Sequence, residues 1–162
     1  MNKIYLNNFK IPEAGQRIYN FAKKIFPINR SLTGEGNRKT LQLIKNILPN
    51  LKIKEIPSFT KVSDWTIPLE WNVKEAFIIE PSGKKILDFK KNNLHLVGYS
   101  MPINKIITLK ELKNHLHFKK DLPKAIPYVV SYYKKNWGFC LSYNQFKKLK
   151  KGNYKILINS NF

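Results

Sequence analysis

The stretch Ser63-Asp64-Trp65-Thr66-Ile67-Pro68-Leu69-Glu70-Trp71-Asn72 limits what this chain can fold into more than any other. Two of the three tryptophans lie in it, an acid precedes each, and Pro68 stands between them. Tryptophan is large and amphipathic, so two this close mark either a packed joint or a binding surface. Pro68 fixes its own φ and drives Ile67 towards an extended backbone, which excludes a helix across the stretch. Helical periodicity dominates before it and short strand patterns follow it. The stretch therefore reads as a hinge between two kinds of structure.

On its N-terminal side, residues Glu13 to Ile25 place Ala14, Ile18, Phe21, Ala22 and Ile25 on one helical stripe. Pro12 suits a first helical turn and Pro27 stops the run. The loop Asn29 to Gly36 leads to a second amphipathic helix, about Asn37 to Leu48, with Leu41, Ile44 and Leu48 expected inside and Pro49 as terminator. Leu51 to Ile56 alternates apolar and polar residues, the pattern of a strand that Pro57 ends. One strand alone has no ladder partner and is not stable. The first 60 residues must lean on something else.

Beyond the hinge, Val73 to Glu80 reads as a strand, Glu80-Pro81-Ser82-Gly83 as a tight turn, and Lys85 to Phe89 as the returning arm. Leu94 to Tyr99, Ile126 to Tyr133 and Trp137 to Leu141 are further strand candidates. Thr108-Leu109-Lys110-Glu111 and Ser142-Tyr143-Asn144-Gln145 each carry the capping-box pattern and open short helices. Gly152 can end the second helix, and Tyr154 to Ile158 is a last strand. These patterns describe an α+β protein: two helices and a strand, then a mainly antiparallel β-rich region with short helices.

Composition sets the class. The chain has 162 residues, enough for one domain or one and a fraction, and 43% of them are hydrophobic, which supplies a core. No run approaches the roughly 18 apolar residues of a membrane span. Residues Met1 to Asn8 lack the apolar centre of a signal peptide, and Cys140 is the single cysteine, so a reduced, cytoplasmic setting is the expectation. The formal charge is +20. Such charge attracts nucleic acid or anionic surfaces, yet only Arg17, Arg30 and Arg38 of the 30 basic residues are arginines. Lysine is a point charge, whereas arginine is favoured for forked phosphate and base recognition. The lysines are also spread along the chain. They read as solvated surface and argue against a dedicated nucleic-acid site.

No catalytic constellation stands out. His115 and His117 are two residues apart, the wrong spacing for a helical metal pair, and no second cluster of ligands lies near them or His95. Cys140 sits in the apolar segment Trp137 to Leu141 and reads as a buried small hydrophobe rather than a nucleophile. Thr33 to Thr40 ends in Lys39-Thr40 as a phosphate loop would, but Thr33 and Arg38 stand where that loop needs glycines. Among the scarce acids, Asp64 beside Trp65 is most simply a turn cap.

Five motifs carry a resemblance: Arg30-Ser31-Leu32-Thr33-Gly34-Glu35-Gly36, Asp64 through Asn72, Asn93 through Ser100, Ile126 through Tyr133, and Trp137 through Ser142. In this order they resemble a bacterial family of aminopeptidase-like proteins whose genes often lie near those for polysaccharide biosynthesis. The resemblance implies a zinc-dependent peptidase with an α/β core, a β-rich domain inserted after its first strand, and a winged-helix-like region further on. It implies that residues 1–60 are the opening of the core, 61–153 the inserted domain, and 154–162 a strand returning to the core. The zinc ligands and general base of that family follow this point, so no catalytic or metal residue carries over. The whole protein would hydrolyse a peptide or a small amide-containing substrate, with zinc as cofactor. This chain would be an N-terminal fragment, with a non-catalytic binding or interaction module as the alternative reading; oligomerisation is left open. Arg30, Asp64, Trp65, Glu70 and Trp71 are the candidates for a domain joint beside the substrate.

Overall fold

A computed structural model describes residues 11–162. Helices α1 (Ile11–Ile25) and α2 (Glu35–Lys45) come first, followed by a small hairpin of β1 (Lys61–Val62) and β2 (Trp65–Thr66). Strands β3 (Asn72–Ile79), β4 (Lys85–Asp88), β5 (Ile103–Thr108) and β8 (Asn153–Asn161) form one antiparallel sheet in the order β4-β3-β8-β5. Between β5 and β8 lie α3 (Leu109–Leu112), the short parallel pair β6 (Leu116–His117) and β7 (Phe139–Cys140), and α4 (Tyr143–Phe146). The architecture is α+β and mainly antiparallel, as the patterns imply.

Strand β8 organises the core. Its burial alternates, with Tyr154, Ile156, Ile158 and Ser160 all turned to one buried face. That is the period-2 signature of a strand packed on one side. Ala76, Ile78 and Leu87 from the neighbouring hairpin and Ile107 from β5 extend this face; Leu112, Phe139 and Leu141 close over it. The strand set apart as residues 154–162 is thus an interior member of this sheet, paired with β3 on one side and β5 on the other. Its fully buried side chains need both neighbours.

Three strand expectations are corrected. Residues 51–57 form no strand, because nothing among the described residues pairs with their alternating pattern. Around 94–99 the chain first makes a short 3-10 turn, Asn93–His95, capped by the Asn92 side chain accepting from the Leu94 N–H. Over 126–133 the only ladder contact among the described residues is a bridge from Val130 to Gly98, since Pro127 lacks a donor and the chain bends away. Conversely, β5 was not expected from the sequence.

The helical stripes also behave differently from expectation. Ala14, Phe21, Ile25 and Ile44 are half-buried, while Ile18 is 70% exposed, and Ala22, Leu41 and Leu48 are exposed as well. No described element packs over them. The sheet domain buries its own apolar face; the helical segment leaves much of its face open.

Candidate functional site

Trp71, 2% exposed at the entrance to β3, is the centre of the joint. Its ring stacks on Tyr99 with centroids 5.5 Å apart and planes 17° from parallel. Its Nε1–H donates to the Ser100 carbonyl at 3.0 Å, which also accepts from the Ser160 hydroxyl at 2.8 Å. Its backbone N–H donates to Thr33 Oγ1 at 3.1 Å, and that hydroxyl shares a 2.7 Å hydrogen bond with the Tyr99 phenol. Burial raises the pKa of that phenol above its ordinary value, with the Thr33 hydrogen bond acting in the opposite direction. Next to Thr33, Gly34 has φ +100, and a Cβ there would come within 2.5 Å of the Trp71 carbonyl oxygen. Glu35 N–H donates to Asn72 Oδ1 at 2.8 Å. Three stretches far apart in sequence, 33–35, 70–72 and 99–100, are therefore locked together.

An ion pair fastens α2 to the same place. Arg38 grips Glu70 with two prongs, Nη1 to Oε1 at 2.8 Å and Nη2 to Oε2 at 2.5 Å, and also reaches Glu35 at 2.6 Å. Asn72 Nδ2 donates to Glu70 Oε1 at 2.9 Å. The hydrogen bonds from Arg38 and then Asn72 hold the Glu70 carboxyl down to about 2. The same contacts raise the Arg38 guanidinium above its ordinary value. A planar fork meeting a carboxylate in this way fixes direction as well as distance.

Of the candidate residues, Glu70 and Trp71 are brought into this joint. Trp65, 36% exposed on β2, and Asp64, exposed in the two-residue turn of the hairpin, lie outside it. Arg30 is exposed on the loop before α2 and takes no part either. Sequence reasoning missed Arg38, Thr33 and Tyr99. The available signal was that Arg38 is one of three arginines in a lysine-rich chain.

A cleft of about 630 Å³ opens beside the joint, between the stretch Thr66 to Leu69 and the loop Ser131 to Lys135. Tyr99 lines it and holds a left-handed backbone with φ 64. Tyr132 packs edge-on against Tyr99 at 5.5 Å, and Phe162 lies 6.2 Å from it. The Tyr133 hydroxyl donates to the Thr66 carbonyl at 2.7 Å and ties the loop across to β2. Among the described residues, Lys134 and Lys135 are the charged side chains of the lining, which includes neither Asp nor Glu.

The histidines serve the fold. His95 Nδ1 lies 2.8 Å from the Cys140 carbonyl oxygen and His115 Nδ1 3.1 Å from that of Trp137. The His115 ring also stacks on Trp137 at 3.7 Å. Burial, and then the neighbouring His115, lowers the pKa of His117 below the ordinary imidazole value. Burial pushes the Cys140 thiol up to about 12, beyond the range of an active nucleophile. Among the described residues no group of three or more His, Cys, Asp or Glu is placed to hold a metal ion. These residues do not fit a zinc site.

The profile of a family described as a domain of unknown function, DUF2172, matches residues 70–161. This chain belongs to the DUF2172 family. The match starts at Glu70, inside the joint, and runs to the end of β8. The chain is 49% identical over 148 residues to a Clostridium acetobutylicum protein whose name provisionally assigns it to polysaccharide biosynthesis and gives it an aminopeptidase-like domain. That alignment takes in 91% of this chain and 34% of the relative. A crystal structure from the same species, provisionally described as a peptidase, superposes with a TM-score of 0.88 at 48% identity, over 93% of this chain and 35% of that one. The relatives that this DUF2172 chain matches are thus peptidase-like by name, and it spans about a third of their length.

Proposed function

We propose that this chain is the N-terminal part of a zinc-dependent, aminopeptidase-like amide hydrolase acting in the cytoplasm on a peptide or another small amide. The observation that carries this reading is the 49% identity over nearly the whole chain to a third of a protein with an aminopeptidase-like domain. In this reading residues up to about 60 belong to the peptidase core. The inserted domain runs from about 61 to Asn161, because β8 belongs to its sheet. The open apolar face of α1 and of the segment after α2 supports the division, since exposed apolar surface of this kind marks an interface. The metal ligands and the general base come from sequence other than this chain, and no catalytic step is assigned to its residues.

The test compares two proteins on aminoacyl amides in the presence of zinc. The longer C. acetobutylicum relative is expected to hydrolyse them and to lose that activity to a chelator. The 162-residue chain is expected to be inactive. Chelator-sensitive turnover by the chain alone would sink its non-catalytic role, and an inert longer relative would sink the hydrolase. The aromatic cleft favours a second reading, in which the chain's own contribution is ligand binding.

A further inference from the structure

We propose that the cleft beside the Trp71–Tyr99 joint is a binding site for the C-terminal end of a short apolar peptide, its carboxylate held by Lys134 and Lys135. The volume of about 630 Å³ lies within the roughly 300–1,000 Å³ of small-ligand sites. Tyr132, Phe162, Leu69 and Met101 line the space, with the buried Tyr99 ring packed against Tyr132 and Phe162, so the interior suits a ring or an aliphatic side chain. The two lysines, with no Asp or Glu side chain among the lining residues, set the sign of the ligand, and the chain's +20 charge favours the approach of anions. Tyr99 holds a backbone conformation uncommon for a side-chain-bearing residue, and such strain collects where a ligand must be met in one geometry. The Tyr133 bridge to Thr66 ties the loop carrying the lysines to the opposite side of the cleft.

The site rests on this geometry; the choice of a peptide rests on the amide-hydrolase reading above. The experiment uses the 162-residue chain labelled with 15N and two probes, acetyl-Leu-Phe as the free acid and as its amide. The acid is expected to saturate and to shift the amide resonances of Thr66, Leu69 and residues 131–135. It should bind about fivefold more tightly than the amide at low salt, the size of a rim charge contact of about 1 kcal/mol. Replacing both Lys134→Gln and Lys135→Gln, exposed substitutions that spare the core, should erase that preference while the amide binds as before. Equal affinity for the two probes, a preference that survives the double substitution, shifts confined to other surfaces, or no saturable binding would each overturn the proposal. The failure of the broader reading looks different: a longer relative that hydrolyses no amide removes the hydrolase and leaves this binding unchanged.

Discussion

The indole of Trp71 and the phenol ring of Tyr99, both buried, stack 5.5 Å apart across the point where the N-terminal segment meets the sheet. Trp71→Phe keeps part of the stack but removes the donor to the Ser100 carbonyl, which retains the Ser160 hydroxyl. A lost buried hydrogen bond and a small void together cost about 2 kcal/mol. Trp65→Phe, on the exposed hairpin, should change stability by no more than about 0.5 kcal/mol. Urea unfolding of the two variants reads the contrast directly. Equal losses would deny Trp71 its central place.

Gly34 makes a second, independent test of the same joint. Its φ of +100 is strained for any side chain, and an added Cβ meets the Trp71 carbonyl oxygen at 2.5 Å, a backbone atom that cannot swing aside. Gly34→Ala should cost about 2 kcal/mol or more. Gly83→Ala, where φ is +86 but nothing lies within 4 Å, should cost only about 1 kcal/mol. Thermal unfolding of the pair separates the clash from the backbone preference; similar Tm losses would show that the 33–35 loop moves freely off β3.

The Arg38–Glu70 pair gives the molecule a defined acid response. The Glu70 carboxyl titrates at about 2 when folded against 4.5 ordinarily. Above 4.5 both folded and unfolded chains are ionised there, so the contribution is complete. Between 4.5 and 2 the unfolded chain binds a proton that the folded chain refuses, and stability falls as pH falls. Glu70→Gln should lose about 1 kcal/mol at neutral pH, the scale of a partly exposed forked pair. Its stability should approach that of the unsubstituted protein as pH nears 2. Urea midpoints from pH 6 to 2 that run parallel for the two proteins would exclude this role for Glu70.

What the sequence made legible was local. The β3–β4 hairpin follows from Pro81 and Gly83 in its turn, where Gly83 N–H donates to the Glu80 carbonyl at 2.9 Å. The caps at Thr108 and Ser142 form as their spacing implies, each hydroxyl accepting from the N–H three residues on. Long-range pairing was not legible. Ile103 to Thr108 carries β-branched residues, but Ile106 is 70% exposed on an edge strand, so its alternation is weak. Leu51 to Ile56 alternates well yet pairs with nothing among the described residues, and alternation reports only that one face is apolar. In the site, Trp71 stood out by residue type, whereas Arg38 and Thr33 acquire their roles from contacts 32 to 66 residues away.

Cys140 supplies a prediction about reactivity. Its side chain is fully buried and burial pushes the thiol up to about 12, so the nucleophilic thiolate is scarce at pH 8. Iodoacetamide should leave the native chain unmodified over an hour at pH 8 and label it fully in denaturant, as read by mass spectrometry. Rapid labelling of the native chain would place Cys140 at an accessible site after all.

The open face of the N-terminal segment is the last point at which sequence and structure part, and it can be tested without a partner. Ile18 and Phe26 are large, apolar and at least 70% exposed, so replacing them removes no packing among the described residues. Ile18→Gln with Phe26→Gln should leave the unfolding free energy within about 0.5 kcal/mol of the unsubstituted chain. Self-association should decrease, because each exposed apolar side chain promotes contact between copies through burial of its surface. Sedimentation velocity at increasing concentration measures the second effect and urea unfolding the first. A large loss of stability would mean that α1 already packs against the domain. An unchanged sedimentation profile would mean that this face is not an adhesive surface, and would remove its support for a division near residue 60.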